Sequence, residues 1–204
     1  MRYLSIILTL LCIVIFTVQI AVPAVTGSFD LEKADVLARP WILVTSIFLH
    51  GSVEHLLYNM FALALFGILL EKIIGSKKFL FVFFFTGIVA SIGSAFFYNA
   101  SLGASGAIFG LLGCLAVLRP RMTIWVMGAP MPMFVAVIVW LLIDLAGIFY
   151  PTNVANVAHI AGLLSGIVIG ILWRKTFWEY PEKRQKPKVV SEEEIDHWEN
   201  EWMH

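Results

Sequence analysis

Gly103-Ala104-Ser105-Gly106-Ala107-Ile108-Phe109-Gly110 sets a hydroxyl between glycines, where a loop passes into an apolar helix that runs to about Leu118. A serine in that setting is a helix cap unless a base can reach it. Of the five histidines, His50, His55 and His159 lie in or at the mouths of other apolar segments. Whether the chain is more than a packed bundle depends on whether topology brings one of them to Ser105.

The surroundings of this stretch are those of a membrane protein. Of 204 residues, 60% are apolar and 14% charged, and mean hydropathy is +0.88. An ordinary soluble domain is roughly half apolar and a quarter charged. Net charge is zero and the core carries no basic patch or nucleic-acid motif, so neither DNA nor RNA is an expected partner. Cys12 and Cys114 fall within apolar runs and read as small buried hydrophobes rather than a disulfide or a metal site.

Outward from Gly103, the helix it opens is the fourth of six apolar spans; the others cover about 4–22, 54–73, 78–97, 131–149 and 154–173. The first is too long for a signal-peptide core of ~7–15 residues and lacks a small-x-small cleavage site, so a retained helix is expected. Residues 23–53 alternate charges (Asp30, Glu32, Lys33, Asp35, Arg39) with Phe29, Trp41, Ile42 and Phe48. That mixture predicts a structured loop at the membrane interface, anchored by Trp41. Basic residues collect at Arg2, at Lys72, Lys77 and Lys78, at Arg119 and Arg121, and at Arg174 and Lys175. By the positive-inside bias both termini are cytoplasmic. Residues 1–176 thus read as one six-helix core and 177–204 as a polar cytoplasmic tail, in which Ser191 and Glu194 suggest a capping box before a short helix ending in Trp198 and Trp202.

With this topology spans two, four and six all start on the external side. His55 opens span two, Ser105 opens span four, and His159 lies about one turn into span six. The fourth span is shorter than the ~20 residues needed to cross, so its start is expected below the headgroups, in a cavity that holds water. Polar groups inside a membrane are costly and usually mark function. Gly106 and Gly110 are spaced four apart, and Ala158, Gly162, Gly166 and Gly170 repeat every four residues. Such stripes let helix backbones approach closely, and if these two face each other, Ser105 and His159 come within hydrogen-bonding reach. His55 and Asn59 share one helical face and, with the Ser105 N–H, offer donors to a developing oxyanion.

In order, His50-x-x-x-x-His55-x-x-x-Asn59, Gly103-x-Ser105-Gly106 and Ala158-His159-x-x-Gly162 on six spans resemble the rhomboid intramembrane serine proteases. The resemblance implies an all-α membrane protein, a six-transmembrane-helix bundle with a long interfacial first loop. It implies Ser105 as nucleophile, His159 as general base and acid, and His55 with Asn59 in the oxyanion hole. His50 is then expected in a supporting hydrogen-bond network, alongside the structural glycines Gly103, Gly106 and Gly162. Glu71 matches a position where a carboxylate ties helices together. Where family members often carry Tyr one turn after the nucleophile this chain has Phe109, which keeps a ring to stack under His159 and loses a hydroxyl. The family's Trp-Arg pair in the first loop is here Arg39-Pro40-Trp41.

The reaction this implies is peptide-bond hydrolysis in a transmembrane segment of another membrane protein, by a Ser-His dyad and without metal or cofactor. No carboxylate is expected to orient His159. Asp144 is the only candidate on sequence grounds, but it lies on the fifth span several residues from the external end and reads as structural or as part of a lateral gate. A metalloprotease is disfavoured because His50-Gly51-Ser52-Val53-Glu54-His55 has one residue too many for H-x-x-E-H. A transporter is disfavoured for want of paired broken helices. The alternative is a catalytically silent rhomboid-like scaffold for membrane-protein quality control, although inactive relatives of that kind typically lack the serine or the histidine. The oligomeric state and the physiological substrate are not legible.

Overall fold

The computed structural model describes residues 3–126, 128–150, 154–177 and 192–202. It is mostly helical. In chain order the helices are α1 (Leu4–Ala21), α2 (Ala24–Phe29), α3 (Ile42–Thr45), α4 (Val53–Ile74), α5 (Ser76–Phe97), α6 (Ser105–Leu118), α7 (Met133–Phe149), α8 (Asn156–Phe177) and α9 (Glu192–Trp202). Among the described residues α1, α4, α5 and α8 are long and apolar enough to cross a membrane, while α6 and α7 are apolar but shorter. At 1.5 Å per residue the 14 residues of α6 span about 21 Å, against a hydrocarbon core of ~30 Å. The six apolar helices lie within a few residues of the expected spans. The proposed cap at Ser191, and with it the partner side chain Glu194, lies outside the described residues.

The α6 helix is the hub, packed against α4, α5, α7 and α8 and buried along most of its length. Its two glycine-rich faces explain how. A Cβ added at Gly162 would sit 2.0 Å from the Gly106 carbonyl oxygen, and one at Gly166 would sit 1.9 Å from that of Gly110. One turn further on, Gly170 meets Val117 and Cys114. The α8 stripe therefore lies directly on the α6 backbone at Gly106 and Gly110, in parallel register, and α6 answers with Gly113 against the Leu163 carbonyl rather than with the Gly106/Gly110 stripe itself. The missing side chains of Gly106 and Gly110 point at α5, where a Cβ would meet Ala90 at 2.4 Å and Thr86 at 2.0 Å. Cys12 and Cys114 are both fully buried in this interior.

Helix α1 is clamped at both ends, to α4 at its start and to the segment preceding α4 at its end. The buried carboxylate of Glu71 accepts from the backbone N–H groups of Leu4 and Ser5, each at 2.9 Å. An anion there satisfies two donors that a helix N-terminus leaves open and complements its dipole. At the opposite end the Gln19 amide brackets the His50 backbone, accepting from its N–H at 3.0 Å and donating to its carbonyl at 3.3 Å. Glu71→Ala should therefore release the start of α1. Two charge-assisted bonds at about 1.5–3 kcal/mol each predict a clear drop in Tm in detergent, and Glu71→Gln, which keeps one acceptor oxygen, should fall in between.

Short elements join the long helices. In the first connection β1 (Leu31–Glu32) pairs antiparallel with β2 (Ala100–Ser101), matching Leu31 with Ser101 and Glu32 with Ala100. Gly103 N–H donates to the Ser46 carbonyl at 2.9 Å. The segment leading into α6 is thus pinned to the first connection on two sides. Arg39 pairs with Asp35 and donates to the carbonyls of Gly27 and Ser28, which fastens α2, while Trp41 is half exposed. Between α6 and α7 a hairpin of β3 (Thr123–Val126) and β4 (Ala129–Pro132) alternates exposed and buried side chains along β3 and turns through Gly128 at φ +80°.

Candidate active site

Ser105 is the first residue of α6, with Ala104 as cap. Its N–H has no acceptor within the helix, and its hydroxyl is not spent on capping. Ser105 Oγ instead lies 2.8 Å from His159 Nε2. His159 is buried one turn into α8, and its ring stacks on Phe109 with centroids 4.3 Å apart and planes at 8°. The stacking expected of Phe109 is present without a phenolic hydroxyl.

The second ring nitrogen corrects an expectation. Rather than being remote from the histidine, Asp144 places Oδ1 3.0 Å from His159 Nδ1, and both side chains are buried. The reason is the register of the α7–α8 pair. A Cβ at Gly147 would lie 2.6 Å from the Asn156 side chain, so the helices touch there. Three residues back along α7 is Asp144 and three residues forward along α8 is His159, one turn away on each helix. On the spans expected from the sequence, Asp144 lies five residues before the end of the fifth and His159 five residues after the start of the sixth. Those equal distances were the available signal.

Across the site, α4 is capped by Ser52, whose hydroxyl accepts from the His55 N–H at 3.1 Å. The Gly51 N–H donates to His55 Nδ1 at 3.4 Å, which leaves the ring proton on Nε2. Gly103, at φ +123°, brings its backbone against that ring; a Cβ there would lie 2.7 Å from His55 Cε1. Glycine is needed at 103 both for the backbone angle and for the room. Asn59, one turn along α4, uses one amide hydrogen on the His55 carbonyl at 2.8 Å, which leaves the second for a ligand. Ser105, His159, His55 and Asn59 share one cavity of about 1050 Å³, lined on the α4 and α7 sides by Tyr58, Phe66 and Trp140. Phe66 and Trp140 meet edge to face at 6.2 Å.

His50 differs from expectation. Its backbone is held by Gln19, but among the described residues neither ring nitrogen has a hydrogen-bond partner, and the ring meets His55 edge-on at 5.2 Å. It supports His55 by packing. Burial, and secondarily the charge His55 would carry, push its pKa down from 6.5 to about 4. A state in which this segment opens binds the proton near the ordinary value, so it gains protons first as pH falls. Stability from neutral His50 is present above about pH 6.5 and is lost progressively toward pH 4. The shift corresponds to about 3 kcal/mol. Melting curves between pH 7 and 4 should show that decline, and His50→Phe should flatten it.

The chain is similar to proteins of one known family. The family model described as Rhomboid domain matches residues 37–176. The chain is 35% identical over 149 residues to RHOMBOID-like protein 6, mitochondrial, of Arabidopsis thaliana, covering 72% of this chain and 48% of that protein. It is 33% identical over 166 residues to RHOMBOID-like protein 1 of the same plant, covering 79% and 42%. To Rhomboid protease GluP of Bacillus subtilis (strain 168) it is 38% identical over 145 residues, covering 68% and 27%. The chain thus spans at most about half the length of these relatives.

Proposed function

The chain belongs to the rhomboid family of helical membrane proteins, and from that premise we propose that it is a serine endopeptidase that cuts transmembrane segments of other membrane proteins. The observation that carries the proposal is the 2.8 Å approach of His159 Nε2 to Ser105 Oγ on a cavity that also holds His55 and Asn59. His159 takes the hydroxyl proton as Oγ attacks the scissile carbonyl. The Ser105 N–H, His55 Nε2–H and the second Asn59 hydrogen receive the developing negative oxygen. His159 then protonates the leaving amine, and water releases the acyl-enzyme.

In this reading all six apolar helices count as spans, α6 being short because its start lies below the external surface. Both termini are cytoplasmic, the first connection lies at the interface, and 1–176 form the proteolytic core with 177–204 as a polar tail. Support comes from the distribution of Lys and Arg. A substrate helix reaches the site by parting α4 from α7 at Phe66 and Trp140. Its peptide carbonyls are tied up in hydrogen bonds until it unwinds, so segments with Gly or Pro, and a small residue before the cut, are favoured.

The test is cleavage of a reporter membrane protein with such a segment by the purified full chain in liposomes. Cleavage within the segment is expected. Stable binding without any cut, across several segments, would instead favour a scaffold.

A further inference from the structure

The geometry points to Asp144 as a positioning residue that acts through His159, making the machinery a Ser105–His159–Asp144 relay rather than a dyad. The inference rests on the protease reading above. Three observations carry it: the 3.0 Å contact of Asp144 Oδ1 with His159 Nδ1, the burial of both groups, and the lack of any hydrogen-bond partner for Asp144 Oδ2 among the described residues.

Because a carboxylate accepts and does not donate, the contact puts the neutral imidazole proton on Nδ1. Nε2 is then the bare nitrogen facing Ser105 Oγ, as a general base requires. A side chain present only to tie α7 to α8 would be expected to satisfy both oxygens, since a buried carboxylate with a single neutral donor is poorly stabilised. Its environment improves when its partner becomes cationic. As Ser105 Oγ–H breaks, the proton passes to Nε2, the oxygen lone pair forms the bond to the carbonyl carbon, and the carbonyl π electrons move onto oxygen. The imidazolium so formed lies against the Asp144 anion, which stays unprotonated. The interaction is stronger in the transition state than in the ground state, and only such differences accelerate the step.

The ring is otherwise fixed by Phe109 from α6, which stacks but sets no tautomer. Among the described residues the titratable groups around His159 are Asp144 from α7 and, across the cavity, His55 from α4. Tyr98, at the end of α5, accepts from the Val157 N–H on the same turn. Among the described residues Asp144 is therefore the group bonded to Nδ1 and placed to hold its proton.

The test compares wild type, Asp144→Asn, Asp144→Glu and Ser105→Ala in reporter cleavage from pH 5 to 9. Asp144→Asn should lower kcat by about 10²–10⁴-fold with KM little changed, and move the acid limb of kcat/KM to lower pH, because the imidazolium loses its anion. Asp144→Glu should recover part of the rate. Independently of any variant, ¹⁵N resonances of histidine-labelled wild type should place the neutral His159 proton on Nδ1. Unaltered kcat and acid limb in Asp144→Asn, or a proton on Nε2 in wild type, would overturn the relay while leaving the protease reading intact. Inactive wild type, or active Ser105→Ala, would sink the protease reading and this inference with it.

Discussion

Ser105→Ala should lower cleavage of any transmembrane substrate by about 10⁴-fold or more, the scale on which nucleophile removal acts in serine hydrolases, while leaving the protein folded. The two halves of this expectation come from one fact: Ser105 Oγ is bonded to His159 and does no capping. What the fold loses is a single hydrogen bond, about 1 kcal/mol, so Tm should move little. His159→Ala should be equally silent but less stable, because it also removes the ring on which Phe109 stacks and the partner of buried Asp144. Rates of substrate cleavage beside melting curves for both variants check this.

Gly166→Val should be the most damaging single change to the fold. The new Cβ would lie 1.9 Å from the Gly110 carbonyl oxygen, and the obstacle is helix backbone on both sides. Side-chain overpacking that neighbours can absorb costs about 1–3 kcal/mol; here α8 must move away from α6, so a loss beyond that range and little folded material on purification are expected. Gly27→Ala is the matching control. No atom lies within 4 Å of its added methyl, and its effect should stay within about 0.5 kcal/mol.

The parts of the fold set by strong periodic signals could be read in the sequence. Long apolar runs gave the helices, and the four-residue spacing of Gly162, Gly166 and Gly170 gave the α8 face that lies on α6, beside which Ser105 meets His159, whereas Gly106 and Gly110 point at α5 instead. Glu71 and Phe109 also stand where the family resemblance put them. What escaped depends on helix-pair register or on single side chains. Asp144 was set aside because depth was measured along one helix, whereas its partner is found by counting outward from the α7–α8 connection on both. Gln19, lying inside an apolar helix, gave no sign that its amide would bracket the His50 backbone thirty-one residues away. The β3–β4 hairpin did leave a trace, in the alternation of Thr123, Ile124, Trp125 and Val126 before Gly128, but a four-residue strand between two strong spans is easily absorbed into a loop.

Because the natural substrate is not needed to detect an activated serine, the most direct measurement is covalent labelling by a fluorophosphonate, which phosphonylates a serine only when a base is positioned to take its proton. Wild type in liposomes should acquire one adduct, located by peptide mass spectrometry on Ser105, and folded His159→Ala should label at least ~10²-fold more slowly. No adduct on Ser105 in folded wild type, or equal labelling of His159→Ala, would contradict the assignment of Ser105 as a nucleophile activated by His159.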